Sequence, residues 1–163
     1  MVTDLQIQIR PVETQDIPGI VMVLRSPGLF ARISAEPFET TQRHVAAELA
    51  LCQADDSHLV LVAQTSGGEI AGYAAVHWLP YLIHAGPEGY VSELFVRGEF
   101  RGQGIGGKLL AVIKAEAQRR GCSRLMLLNM RERESYQRQF YAKQGWEERP
   151  DAANFILKLE PPA

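Results

Sequence analysis

Tyr90-Val91-Ser92-Glu93-Leu94-Phe95-Val96, then five residues ending in Arg101, then Gly102-Gln103-Gly104-Ile105-Gly106-Gly107-Lys108: the reading of this chain turns on this stretch. Its first part, rich in β-branched and aromatic residues, reads as a strand. Its second part puts four glycines within six residues, directly ahead of an amphipathic run. Glycine is costly in ordered backbone unless the chain must turn left-handed or let something approach closely. From Gly104 to about Arg120 apolar residues recur at helical spacing. Ile105, Leu109, Val112, Ile113 and Ala117 are predicted to form the buried face, with Lys108, Lys114 and Gln118 toward water. A glycine turn at a helix start offers unpaired amides, and those amides favour an anion.

Outward from this centre, residues 7–10 alternate and read as a strand stopped by Pro11. Thr14 is placed as the N-cap of a helix reaching about Arg25, and Thr40 or Thr41 as the start of a second, carrying Val45, Ala46, Leu49 and Cys52. Residues 28–37 between them read as irregular. Residues 58–64 and 70–79 form two strands around Thr65-Ser66-Gly67-Gly68. Gly121 closes the glycine-loop helix, and residues 124–128 are a continuous apolar run expected of a buried parallel strand. Residues 135–144 read as a helix closed by Gly145, and residues 154–159 as a last strand, with a short strand near 146–149. The expected fold is α+β with α/β/α layers: one domain over residues 1–163, a mixed sheet of about six to seven strands and about four helices.

A chain of 163 residues can bury a full core, and 46% apolar with 22% charged side chains excludes disordered and fibrous classes. No run approaches the roughly 20 apolar residues of a membrane span. Residues 1–10, with Asp4 among alternating polar and apolar positions, do not read as a signal peptide. Cys52 and Cys122 are too few for a disulfide framework or a tetrahedral zinc site, so a reduced cytoplasmic setting without metal is expected. A net charge of −2 argues against a dedicated nucleic-acid binder. The charge is unevenly spread, however. Residues 97–149 hold 12 Lys and Arg against 6 Asp and Glu, while the remainder holds 5 against 13. The basic part suits a small polyanion and the acidic part a cationic partner.

Three anion-binding patterns compete for the glycines. Gly102-x-Gly104-x-x-Gly107 matches a dinucleotide fingerprint, but a loop separates it from the strand and the next strand ends in Asn129, without the required acid. Gly102-x-x-x-x-Gly107-Lys108 matches most of a P-loop, but Leu109 follows where a magnesium-binding hydroxyl belongs. The third pattern, Arg101-x-x-Gly104-x-Gly106 after the strand ending in Val96, resembles motif A of the GCN5-related N-acetyltransferases. Phe140-Tyr141-Ala142-Lys143-Gln144-Gly145-Trp146, about 40 residues on, is similar to that family's second motif, and the order of elements over most of the chain agrees.

The resemblance implies acetyl-coenzyme A as cosubstrate and an amine as acceptor. In that family the motif-A strand splays from its neighbour and the pantetheine arm adds like an extra strand. The backbone of Leu94, Phe95 and Val96 would then bond the pantetheine. Arg101 and the amides of Gly102, Gln103, Gly104, Ile105, Gly106, Gly107 and Lys108 would hold the phosphates. Tyr141 looks like the general acid that protonates the leaving thiolate, and Glu93 like the base or amine contact. Strand parity sends Glu93 to the face opposite Leu94 unless a bulge intervenes. Glu88, Tyr90 and Ser92 are lesser candidates, as are His77 and His84, histidine being the side chain whose charge changes nearest neutral pH. Where many members carry Asn seven residues before the tyrosine, this chain has Glu134. Asn129 is the candidate to take over that contact, and Tyr136 is counted with the coenzyme-binding residues.

Phe140 and Trp146 read as core, and the cysteines as filler, so direct transfer in a ternary complex is implied. Residues 26–39 and 80–89 would flank the acceptor, with Glu36, Glu39, Glu88 and Glu93 drawing in a primary amine and Arg32 pairing an anionic group on the same molecule. A small-molecule amine is the leading acceptor and a peptide or protein N-terminus the alternative. A homodimer is the assembly the resemblance suggests, with neither nucleic acid nor membrane as partner. Two other function classes stay open at this point: an acyl-CoA-sensing module without catalysis, and a nucleotide-binding switch.

Overall fold

The structure is a computed structural model that describes residues 6–159, so the reading of residues 1–10 falls partly outside it. Four strands pair antiparallel in sequence order: Ile7–Pro11 (β1), His58–Thr65 (β2), Ile70–Leu79 (β3) and Glu88–Val96 (β4). Arg124–Leu127 (β5) then joins β4 in parallel, as its crossover helix requires. The order β1-β2-β3-β4-β5 gives five strands among the described residues, not six or seven. Residues 146–149 and 154–159 form no strand. Their β-prone side chains find no ladder partner among the described residues, and Phe155 is 91% exposed.

Ile17–Leu24 (α1) and Phe38–Cys52 (α3) cover one face of the sheet, where Ile17, Val21 and Leu49 pack with Val62 and Tyr73. Ile105–Arg119 (α4) packs on the other face, against β1 to β4. Its buried side is Ile105, Leu109, Leu110, Ile113 and Ala117; Val112 is 38% exposed, so the apolar stripe turns toward Leu110. The helices also start differently from the sequence reading. Glu13, not Thr14, caps the first turn, because Asp16 accepts the Glu13 N–H at 2.8 Å in a reciprocal capping box, and α1 begins only at Ile17. Residues 28–37 are not wholly irregular: Ala31–Ala35 (α2) forms there. The third helix opens at Phe38, with Thr41 turned inward to donate to Glu36 Oε1 at 2.8 Å.

The chain divides into two compact units at Leu128/Asn129. In the second unit the helix expected over residues 135–144 is interrupted. Glu134–Gln137 (α5) ends as Gln139 takes a left-handed φ of 55°, and a 3₁₀ turn over Ala142–Gln144 follows. The apolar run at 124–128 is less buried than expected: β5 is half-buried along Leu125–Leu127 and Leu128 is 51% exposed, because among the described residues the strand pairs on one side only.

Candidate functional site

The site is built on a change of pairing within β4. Residues 88–91 are bonded on both sides, with Glu88 opposite Arg124 and Val91 opposite Leu127 on β5. Pairing with β5 then stops, whereas pairing with β3 continues to Val96 opposite Gly72. Ser92 is the extra residue of a β-bulge: Val91 pairs with Val76 and Glu93 with Ala75. The bulge settles the parity of Glu93. Without it Val91 and Glu93 would share a face; with it Glu93 joins Phe95 and Tyr73 on the face covered by α1 and α3.

Arg97 N–H donates to Ala71 O at 2.9 Å, so ladder alternation gives the backbone of Phe95 to β3 and turns that of Leu94 and Val96 to the open edge. Arg101 Nε donates to Val96 O at 3.1 Å, which brings the guanidinium beside that edge. The glycine turn follows. Gly102 and Gly104 have φ of 78° and 74°, values side chains resist, and a Cβ on either would meet nothing within 4 Å. The bend is therefore open. The first helical bond of α4 runs from Lys108 N to Gly104 O at 3.0 Å, leaving the amides of Ile105, Gly106 and Gly107 ahead of the helical ladder. The Ile105 side chain is buried, so only its backbone faces outward, whereas Gln103 and Lys108 are exposed. An open, amide-lined bend of this kind suits a diphosphate.

Glu93 is fixed by a contact invisible in the sequence: its carboxylate accepts a hydrogen bond from Tyr73 Oη. Tyr73 is 3% exposed. Burial, reinforced by the Glu93 charge, pushes its phenol well above the usual value, so it remains a donor. Phe95 stacks at 5.9 Å on Tyr73 and at 5.1 Å, edge-on, on Phe30. Thus the α1–α3 connection lies over this end of β4. Arg25 pins that connection, donating to Ile33 O at 2.8 Å, Glu36 O at 2.7 Å and Ser34 O at 3.2 Å. Of the acids expected to draw in an amine, Glu88 is 0% exposed and paired to Arg124, so it is a structural charge. Glu36 is engaged by Thr41 and, at 3.7 Å, by Arg32; Glu39 is exposed.

Within the second unit, Tyr141 packs edge-on against Phe140 at 4.9 Å and Trp146 at 6.0 Å. Burial pushes its phenol up to about 12. Ser135 Oγ donates to Asn129 Oδ1 at 2.9 Å, and Tyr136 Oη to Glu148 Oε2 at 2.8 Å, so both residues counted with the coenzyme are tied locally. Glu134 opens α5. Tyr73 and Arg25 escaped the sequence reading, since the role of each rests on partners set by folding: Glu93 on the neighbouring strand for Tyr73, and the carbonyls of residues 33, 34 and 36 for Arg25.

Comparison with known proteins agrees with this geometry. Residues 28–146 match the acetyltransferase (GNAT) family. The chain is 34% identical over 82 residues to an aminoalkylphosphonate N-acetyltransferase of Salmonella typhimurium, a match spanning 50% of the chain and 52% of that relative. It is 32% identical over 146 residues to glucosamine 6-phosphate N-acetyltransferase 1 of Oryza sativa subsp. japonica, covering 87% of the chain and 82% of the relative. The fold is shared with a transcriptional regulator from Bacillus halodurans C-125, with a TM-score of 0.81 at 23% identity over 94% of this chain and 100% of that one. The chain spans about half the length of the first of these relatives and most of the second. The open strand edge, the amide-lined turn and these matches have one reading: the chain belongs to the acetyltransferase (GNAT) family.

Proposed function

We propose that this protein transfers an acetyl group from acetyl-coenzyme A to a primary amine on a small molecule, by direct attack in a ternary complex and as a single working domain. The observation that carries the reading is the end of β4–β5 pairing at Val91/Leu127, which frees the backbone of Leu94 just ahead of the open glycine turn. Leu94 and Val96 would bond the amide arm of the coenzyme through their backbone, with Phe95 between them as the packed side. The amides of residues 102–108, with Arg101, would hold the diphosphate. When bound, the coenzyme supplies an acetyl thioester with a thiolate leaving group.

Glu93, its carboxylate oriented by Tyr73, takes the proton of an arriving ammonium, which cannot attack until it is neutral. Tyr141 returns a proton to sulfur; its phenol, raised to about 12, stays protonated at neutral pH, as an acid must. The cysteines take no covalent part: burial raises both Cys52 and Cys122, away from the thiolate. The acceptor class follows from exposed Arg32 on α2 beside an acid-bearing segment, and from relatives whose names carry a phosphonate or a phosphate: an amine that also bears an anion.

Thiol release from acetyl-coenzyme A tests this with 2-aminoethylphosphonate, glucosamine 6-phosphate and a peptide N-terminus as acceptors. We expect turnover with one of the first two, and a fall of about 10²-fold in kcat for Tyr141→Phe. Unchanged kcat in that variant removes Tyr141 from the mechanism. Thermal stabilisation by acetyl-coenzyme A without thiol release from any acceptor replaces the transferase with a sensing module.

A further inference from the structure

Beside Glu93 a chain of polar contacts crosses three strands without a role in the site as described. His77 Nε2 lies 2.8 Å from Ser92 Oγ, and that hydroxyl donates to Ala75 O at 3.5 Å. In the tautomer where Ser92 Oγ donates to Ala75 O, Nε2 donates to the hydroxyl and Nδ1 carries the lone pair. His58, opposite His77 in register, meets it edge to face at 4.5 Å. His58 Nδ1 in turn lies 2.7 Å from Ser57 Oγ, which donates to the exposed Asp55 carboxylate. The row therefore runs from the β4 bulge, one residue from Glu93, to the surface turn ahead of β2.

Acetylation of an ammonium removes two protons from nitrogen. One ends on the thiol of the product coenzyme; the other must reach water. The Glu93 carboxylate can accept the second proton but must release it in every cycle, and Tyr73, which bonds it, is a buried donor. We propose that His77, held by Ser92 at the bulge, is the proton-release group of this site, taking the acceptor's proton from the Glu93 carboxyl and passing it to water on the His58 side. The carboxyl returns to carboxylate, the imidazole becomes imidazolium, and water or buffer takes the proton. The charges around His77 suit this. Burial and then the neighbouring His58 hold its imidazole below the usual value, while Glu93 acts in the opposite direction. Tyr90 faces it at 6.3 Å from the same strand as Glu93. Cys52, at the end of α3, feels the same carboxylate, and burial keeps its thiol protonated.

The inference rests on the acetyl-transfer reading, and its test separates the two. His77→Gln keeps a donor for Ser92 but cannot titrate; His77→Ala keeps neither. With the acceptor that turns over fastest, in dilute buffer, we expect His77→Gln to lower kcat at least tenfold with KM for acetyl-coenzyme A unchanged. Added imidazole is expected to restore His77→Ala, a rescue that a purely structural role would not allow. Unchanged kcat in His77→Gln, or a His77→Ala defect that imidazole leaves in place, overturns the proposal. An NMR titration of the histidine rings needs no acceptor: His77 is expected to titrate below the ordinary histidine value, and lower still in Glu93→Gln. A His77 midpoint indifferent to Glu93→Gln overturns the coupling. Absence of thiol release in the unmodified chain overturns the acetyl-transfer reading instead.

Discussion

Residues 88–91 and 93–96 are neighbours on one strand with opposite fates. The first four are bonded to strands on both sides, and Glu88 and Gly89 are sealed from water. The last four pair with β3 alone among the described residues, remain partly accessible, and carry the carboxylate and open-edge backbone of the proposed site. Composition does not separate them, since each half holds one Glu among apolar residues. One extra residue does: Ser92 reverses which side chains face α4, and the pairing with β5 ends beside it. A strand thus changes from core to open edge at a bulge, where the ladder is already interrupted.

Deleting Ser92 breaks this contrast most completely. Glu93 would follow Val91 directly, keeping its place opposite Ala75 and its face, but the uninterrupted ladder would let pairing with β5 run on past Val91 and close the open edge at Leu94; we expect kcat to fall by at least about 10²-fold in the thiol-release assay while a cooperative melt persists. Next comes Arg124→Ala, which attacks the sealed half. It leaves the Glu88 carboxylate buried without its partner, and urea unfolding should register a loss of about 3 kcal/mol, the lower end for a broken buried pair because Arg124 is 43% exposed. The open half tolerates its own carboxylate change better. Glu93→Gln should retain the Tyr73 contact and the fold but lower kcat by about 10²-fold, with the deficit greatest at low pH, where the acceptor arrives protonated. The smallest effect sharpens the comparison. Leu94→Pro removes an N–H that faces the open edge and spares the β3 ladder, so isothermal titration should find acetyl-coenzyme A binding about tenfold weaker, the worth of one hydrogen bond, with little change in stability.

The sequence made the glycine turn legible because its signal is local: Gly102 and Gly104 adopt the left-handed backbone that their spacing demands, and the bend is open. The strands that alternate or end at glycine turns were legible for the same reason. A bulge was legible only as the condition on which the face of Glu93 depends; its presence at Ser92 was not, because it exists only in the register between β3 and β4. Tyr73 looked like one more strand aromatic until pairing set it opposite Phe95 and brought its hydroxyl to Glu93. The second unit misled in another way. Residues 135–144 carry a helical pattern, but Gln139 turns left-handed and Phe140 N–H bonds back to Ser135 O at 2.9 Å, ending the helix early. Residues 154–159 have strand propensity, and propensity without a partner makes no ladder.

Amide hydrogen exchange, read residue by residue with and without acetyl-coenzyme A, tests the central claim most directly. The account predicts slow exchange at Val91 in both states, and fast exchange at Leu94, Gly104 and Gly106 that slows markedly when the coenzyme is added. Coenzyme binding that leaves Leu94 and the glycine amides exchanging as fast as before would contradict it.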